Sequence, residues 1–290
     1  MLGSIMISRQ FFGKVNRPCR RWKPTYNDIS QLWRLGDDPT TKSSVRPLEF
    51  RAMLMIATFS CECPMDDDYD LTHFSNIGRL FPLPGVVLFP HSVLPLHIFE
   101  PRYRQMTEDA LASDRLVTIV QTRPPLEWKS PGTPTLERFG CLGRIFKHER
   151  LPDGRFNFLL LGRKRVELLR EIPGDKLYRM SELRIVEDIP PGDHEGVRRD
   201  ELISNFRSLH PGGIDRDLDS LFDSELPLGV LTDIIAQALG LGASVKQTFL
   251  AEPVVVRRAI GLLGLLRQMK ENQQTPQDIP SKFPPPFSLN

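Results

Sequence analysis

Cysteine is scarce in this chain, with four among 290 residues. Cys19, Cys61, Cys63 and Cys141 form no framework, and Cys61 and Cys63 stand too close together for the paired CxxC spacings of a zinc knuckle. Scattered thiols of this kind suit a reducing compartment, so a cytoplasmic location is expected. No apolar run reaches the roughly 18–20 residues needed to span a bilayer. No GxxxxGK[ST] phosphate loop, GxSxG elbow or HExxH motif occurs in the sequence. No nucleotide-hydrolysing engine, serine-hydrolase turn or zinc-peptidase helix is therefore legible. The net charge of +2 is too small by itself to imply nucleic acid or a membrane surface.

What is abundant is proline, at 26 residues, and charge that is unevenly spread. Residues 1–64 hold ten Lys/Arg against five Asp/Glu, leaving the rest slightly acidic. These residues show no sustained period, and an acidic DDDYD cluster follows them. Residues 1–75 read as a disordered basic leader, or as an upstream extension with the working start at Met65. The stretch MLMIATFSC at 53–61 resembles a short export h-region ending on a lipidated cysteine. It lies more than 50 residues into the chain, however, and Phe59-Ser60 is a poor approach to such a site. Residues 273–290, with Pro276, Pro280 and PPP at 284–286, should form an extended, Pro-rich disordered tail.

Between these ends two periods succeed one another. Residues 76–190 read as β structure with one helix. Arg79–Leu83, Val86–Phe89, Val93–Phe99, Leu116–Gln121, Phe139–Glu149, Arg155–Gly162, Arg163–Arg170 and Tyr178–Glu187 are the expected strands. Pro101 opens the helix at a position where its missing N–H costs nothing. Tyr103, Met106, Ala110 and Leu111 mark the inner face of this helix. Pro-Asp-Gly at 152–154 predicts a hairpin turn. Residues 191–272 shift to a helical period: Val197–Leu209, then a stripe of Leu226, Val230, Leu231, Ile234, Ile235 and Ala238. Ser244 and Gln247 form a capping-box pattern. Val255, Ala259, Leu262, Leu263, Leu266 and Met269 line a last helix, in which Gly261 and Gly264 suggest close helix–helix approach. The expected fold class is α+β, a small β-barrel with one inserted helix followed by a helical bundle.

Candidate chemistry is sparse. His91 and His97 have no third ligand for a metal and read as barrel histidines. Glu100, Arg102, Tyr103 and Arg104 suit a helix start, with ligand binding and catalysis as the alternatives. Arg163, Lys164 and Arg165, near Arg144, Lys147, Arg150 and Phe146, Phe156 and Phe158, fit either RNA binding or the solvated face of a half-buried sheet.

Three segments carry a family resemblance. LFPLPGVVLFPHSVLPLHIFEPRYRQM at 80–106 is similar to the opening signature of the Lon protease N-terminal, substrate-binding domain. FGCLGRIFKHERLPDGRFNFLLLGRKRVEL resembles its next block, and LTDIIAQALGLGASVKQTFLAEPVVVRRAIGLL its closing helices. The similarity spans about 78–272, in the family's order. It implies a PUA-like barrel plus helical bundle in a stand-alone domain without the ATPase and peptidase modules of full Lon, hence no enzyme and no cofactor. The implied function is non-catalytic binding of unfolded or extended polypeptides, as an adaptor serving a separate ATP-dependent protease. RNA binding by the PUA-like barrel and an uncharacterised hydrolase are the alternatives. Phe89, Pro90, His97, Phe99 and Tyr103 are the candidate polypeptide-binding residues, because they lie in the signature. Pro82, Pro95, Leu96, Glu100, Arg102, Tyr103, Asp153, Gly154, Arg155 and Gly162 are signature positions with a structural role.

Overall fold

The computed structural model describes residues 71, 74–123, 134–192, 199–214 and 216–274. Most of the expected leader, the Pro-rich loop at 124–133 and the tail beyond 274 lie outside them. The fold is mixed α+β, with six strands and six helices among the described residues. Strands β1 (Ile77–Leu83) and β2 (Val93–Ile98) precede helix α1 (Pro101–Leu111). Then come β3 (Leu116–Thr122), β4 (Leu136–Arg150), β5 (Phe156–Ile172) and β6 (Met180–Val186). Five helices follow: α2 (Arg199–Ser208), α3 (Arg216–Asp223), α4 (Leu228–Ala238), α5 (Ala243–Ala251) and α6 (Val255–Gln274).

The strands join in the order β2-β5-β4-β3-β1-β6, and β6 pairs again with β5. The length of β5 makes this possible. Its first part pairs with β2, from Phe156 opposite Ile98 to Leu161 opposite Val93. Its last part pairs with β6, from Arg165 opposite Val186 to Ile172 opposite Met180. The expected strands Arg155–Gly162 and Arg163–Arg170 are thus one strand. Gly162 suggests a break, but it stays in the ladder opposite Gly143. Val86–Phe89 is not a strand. It is a buried connection that ends in a turn at 90–91, tied to β5 by His91 N–H donating to Gly162 O (2.9 Å) and Gly162 N–H to Ser92 O (2.8 Å).

Proline positions follow from the ladder. Pro95 sits in β2, which pairs only with β5 among the described residues, as a proline in a sheet requires. Pro82 lies beyond the three β1 residues that pair with β6. Pro101 occupies the first turn of α1, as expected.

Two apolar clusters hold the molecule. Leu80, Leu116, Val120, Leu142, Val166 and Leu183 come from β1, β3, β4, β5 and β6. The larger cluster runs from Phe81 and Phe89, through Met106 and Phe158, to Phe206, Ile235 and Leu266, so it is shared by sheet and helices. Each such side chain contributes about 1.5–3 kcal/mol on burial. The stripe expected on α4 is buried at Leu231, Ile234 and Ile235, and that on α6 at Val255, Ala259, Leu262, Leu263 and Leu266. Helix α3 escaped the sequence reading. Its eight residues pack Leu218, Leu221 and Phe222 inward, too short a run for the period to stand out.

The capping box at Ser244 does not form. The cap of α5 is Gly242, with no side-chain bond, so Ser244 already lies inside the helix. Gln247 instead reaches the sheet, donating from Nε2 to Phe139 O at 2.8 Å. The two glycines of α6 differ. A Cβ on Gly261 would come within 3.1 Å of the Phe249 ring, so close packing explains it, whereas one on Gly264 would meet nothing within 4 Å. Gly264→Ala should stabilise the protein by about 0.5–1 kcal/mol, read as a higher urea midpoint. Gly261→Ala should gain less or lose stability.

Helix α1 is pinned to the segment before β6. Asp109 Oδ2 accepts bonds from Tyr178 Oη (2.8 Å) and Lys176 Nζ (2.9 Å). Burial and the bond to Asp109 raise the Tyr178 phenol from 10.0 to about 12. A raised folded-state pKa gives stability that is complete below the unfolded value and is lost as pH climbs through the folded one. Stability should therefore fall between pH 10 and 12, and Tyr178→Phe should flatten that slope in pH-dependent melts.

Candidate functional site

His97 to Arg104 and Asp153 to Arg155 of the signature meet where β2, α1 and the β4–β5 hairpin come together, whereas Phe89, Pro90 and Gly162 lie at the Val93 end of β2 and Pro82 in β1. Glu100 caps α1 with φ −68° and ψ 136°, its carbonyl accepting from Tyr103 N–H (3.0 Å) and Arg104 N–H (2.9 Å). Its carboxylate makes no cap bond and takes Arg102 Nε at 2.8 Å, while the Arg102 guanidinium lies 4.5 Å from the Tyr103 ring centre. Tyr103 is buried with its ring 4.3 Å from that of Phe81, and burial raises its pKa above the usual phenol value. It is an anchor of α1.

The hairpin turn forms as Pro-Asp-Gly predicts. Gly154 has φ +80°, a conformation that favours glycine. Asp153 accepts from Arg155 N–H (3.0 Å) and Arg155 Nε (2.5 Å), and these bonds hold its carboxyl below the usual range. Glycine is needed here for a second reason: a Cβ would stand 2.3 Å from Nη2 of Arg104, which lies against the turn. Arg150 on β4 bridges to Glu108 on α1 at 3.3 Å.

Across the sheet, His97, Asn157 and Glu149 occupy one row of neighbouring strands. The His97 Nδ1 to Asn157 Oδ1 distance is 2.6 Å, and Arg155 Nη1 stands 3.4 Å from His97 Nε2. The His97 and Phe99 rings stack with centroids 6.1 Å apart.

The five candidate binding residues therefore divide. Phe99 is 61% exposed and His97 half-buried. Phe89, Pro90 and Tyr103 are buried, and Phe89 and Pro90 lie at the other end of β2, against Gly162. Leu96 packs inward from β2, and Gly162 supports the turn after Phe89.

The basic run on β5 is not a solvated face throughout. Arg165 is buried, with α4 and α5 each supplying a partner to its guanidinium. Its guanidinium meets Asp188 (3.0 Å) and Asp233 of α4, and donates from Nε to Leu250 O (3.1 Å). Arg258 of α6, equally buried, holds Asp188 through Nη1 (2.8 Å) and Nη2 (2.5 Å). Burial pushes the Asp188 carboxyl up, but both arginines outweigh it and leave it below the usual range. Lys164 bonds Glu187 at 3.1 Å, and Glu167 takes both Arg138 and Arg184. These cations are matched by carboxylates, which weakens the field that RNA would need. The sequence reading missed the buried network. Its signal is two charges, Asp233 and Arg258, inside otherwise apolar helix stripes.

A cavity of 510 Å³ lies between α2 and the end of α3. Its arginines are already committed, Arg199 to the Phe222 carbonyl and Arg207 to Asp219 and Asp223. Among the described residues no cluster of three or more His, Cys, Asp or Glu could hold a metal ion. None of the described helices is long and apolar enough to cross a membrane.

Comparison with known proteins adds the relationship. Lon protease 1 of Thermus thermophilus is 25% identical over 212 residues, which cover 70% of this chain and 26% of that protein. Lon protease of Heliobacterium modesticaldum is 28% identical over 200 residues, covering 66% and 24%. The chain thus spans about a quarter of the length of the curated relatives it matches. Among solved structures, a Lon N-terminal domain protein from Xanthomonas campestris superposes with a TM-score of 0.47 at 20% identity, over 65% of this chain and 97% of that one. The N-terminal domain of a Mycobacterium avium complex Lon protease gives 0.48 at 17% identity, over 66% and 98%. Residues 79–268 match the sequence profile described as the ATP-dependent protease La (LON) substrate-binding domain, and the chain belongs to that family.

Proposed function

We propose that this protein is a non-catalytic module that binds unfolded or extended polypeptide, with the open side of β2 and the exposed Phe99 as its contact surface. The observation that carries this reading is the family match over 79–268. The geometry supports it. An edge strand with an exposed aromatic at its end can take an extended segment by strand addition and apolar contact. In this reading Phe99 and His97 touch the client, Tyr103 anchors α1, and Phe89 and Pro90 fix the other end of β2 in the core. The return of β6 to β5 supports a small closed PUA-like barrel over 76–190, followed by a helical bundle over 191–272. Delivery of clients to a separate ATP-dependent protease is part of the same proposal, drawn from the Lon proteases among the relatives.

A pull-down with a permanently unfolded model protein and its native form tests this. The unfolded form should be retained in preference, and Phe99→Ser should reduce retention several-fold without lowering the melting temperature. Equal recovery of both forms, or indifference to Phe99, would sink it.

A further inference from the structure

The start of α1 carries more than an exposed aromatic, and the specificity inferred for it rests on the polypeptide-binding reading. With Glu100 as N-cap, Phe99 is the N′ residue and Arg104 the fourth helical residue. A hydrophobic N′ side chain ordinarily packs on an apolar residue at that fourth position. Here the position is an arginine turned onto the Gly154 turn, so Phe99 has no staple partner and stays in solvent. The surrounding guanidiniums are matched: Arg102 with Glu100 at 2.8 Å, Arg150 with Glu108 at 3.3 Å, Arg155 with Asp153 at 2.5 Å. The Arg104 side chain is half-buried, and no hydrogen bond or ion pair joins its guanidinium to another described residue. A cation held partly out of water without a counter-ion is a ready acceptor for one.

We propose that this corner recognises an acidic residue next to an apolar one within an extended client segment, the apolar side chain lying on Phe99 and the carboxylate on Arg104. The occupant is a side-chain carboxylate, not a chain end. Chain termini are captured by nests of backbone N–H groups. Here Pro101 has no N–H, and those of Tyr103 and Arg104 already bond Glu100 O. The corner is also open, with Pro101, Arg102, Asp153 and Arg155 exposed around it, so a chain can run through it.

The test uses the full chain and two fluorescent, unstructured peptides of about a dozen residues, identical except for Leu-Glu against Leu-Gln at the centre, both amidated at the C-terminus. Anisotropy titrations at low salt should show the Glu peptide binding about three- to fivefold more tightly, as a single partly exposed ion pair allows. The preference should vanish in about 0.5 M salt, where charges are screened, and in Arg104→Gln, which should bind the two peptides alike. Phe99→Ser should weaken both peptides. Equal binding of the two peptides by the wild type, still weakened by Phe99→Ser, would overturn carboxylate recognition while leaving polypeptide binding standing. No binding of either peptide would instead remove the polypeptide-binding reading itself. Circular dichroism melts of Arg104→Gln confirm that any loss is not unfolding.

Discussion

Replacing Asp233 by alanine is expected to destabilise the protein by about 3–5 kcal/mol, because it leaves buried cations without their counter-charge. Arg165 is 3% and Arg258 1% exposed, and Asp233 lies between them on α4. The Arg165 guanidinium bonds Asp233 directly, and the Arg258 Nε is 3.7 Å from the same carboxylate oxygen. The remaining carboxylate, Asp188, is bound by both arginines already. A urea titration should show a lower midpoint at unchanged slope. Adding Arg165→Met to Asp233→Ala should recover part of the loss, since removing both members of a buried pair costs less than removing one. Simple additivity of the two losses would contradict the account. The network also predicts acid sensitivity. Asp188 is held below the usual carboxylate range, so its contribution is complete above the unfolded-state pKa and is lost as pH falls through the lower folded-state value.

Gly162→Ala should cost about 1–3 kcal/mol, and its effect on binding should exceed its effect on stability. The added Cβ would stand 2.1 Å from Phe89 O and 3.1 Å from Cys141 Sγ. The carbonyl oxygen cannot move alone, because the turn after it is bonded to Gly162 on both backbone groups. Relief requires the segment from Val86 to Ser92 to shift, and that segment feeds directly into β2. For a domain of this size, a loss of about 1 kcal/mol lowers the melting temperature by roughly 2–4 °C. Client affinity measured well below the melting temperature should still drop, because the edge of β2 moves with the turn. An unchanged melting temperature would show that the close approach is absent.

Much of this arrangement was legible in the sequence because local rules settle it. Pro101 can open a helix but not continue one, and α1 begins there. Pro-Asp-Gly at 152–154 specifies a tight turn, and the hairpin forms around it. The helical stripes at 230–238 and 255–269 are long enough for their period to show. The misreadings arise where tertiary contacts outrank local preference. Gly162 looks like a strand end, yet it is the place where another backbone passes. Ser244 fits a capping box, yet the chain enters the helix earlier, with Gly242 as its cap. Arg165 alternates as a surface residue should, yet Asp188 after β6 and Asp233 on α4 allow it to be buried. Among the binding candidates, the signature picked out both ends of β2. It did not separate Phe99, which the missing staple leaves in solvent, from Phe89 and Tyr103, which the core absorbs.

The most direct test of polypeptide binding at this corner is site-specific photocrosslinking. A photoreactive phenylalanine analogue is placed at position 99 and, as controls, at the exposed apolar positions 169 and 260. Each variant is irradiated with an unfolded client and with its native form. The account predicts adducts from position 99 with the unfolded client alone. Equal labelling from all three positions, or adducts from 169 or 260 but none from 99, would contradict it.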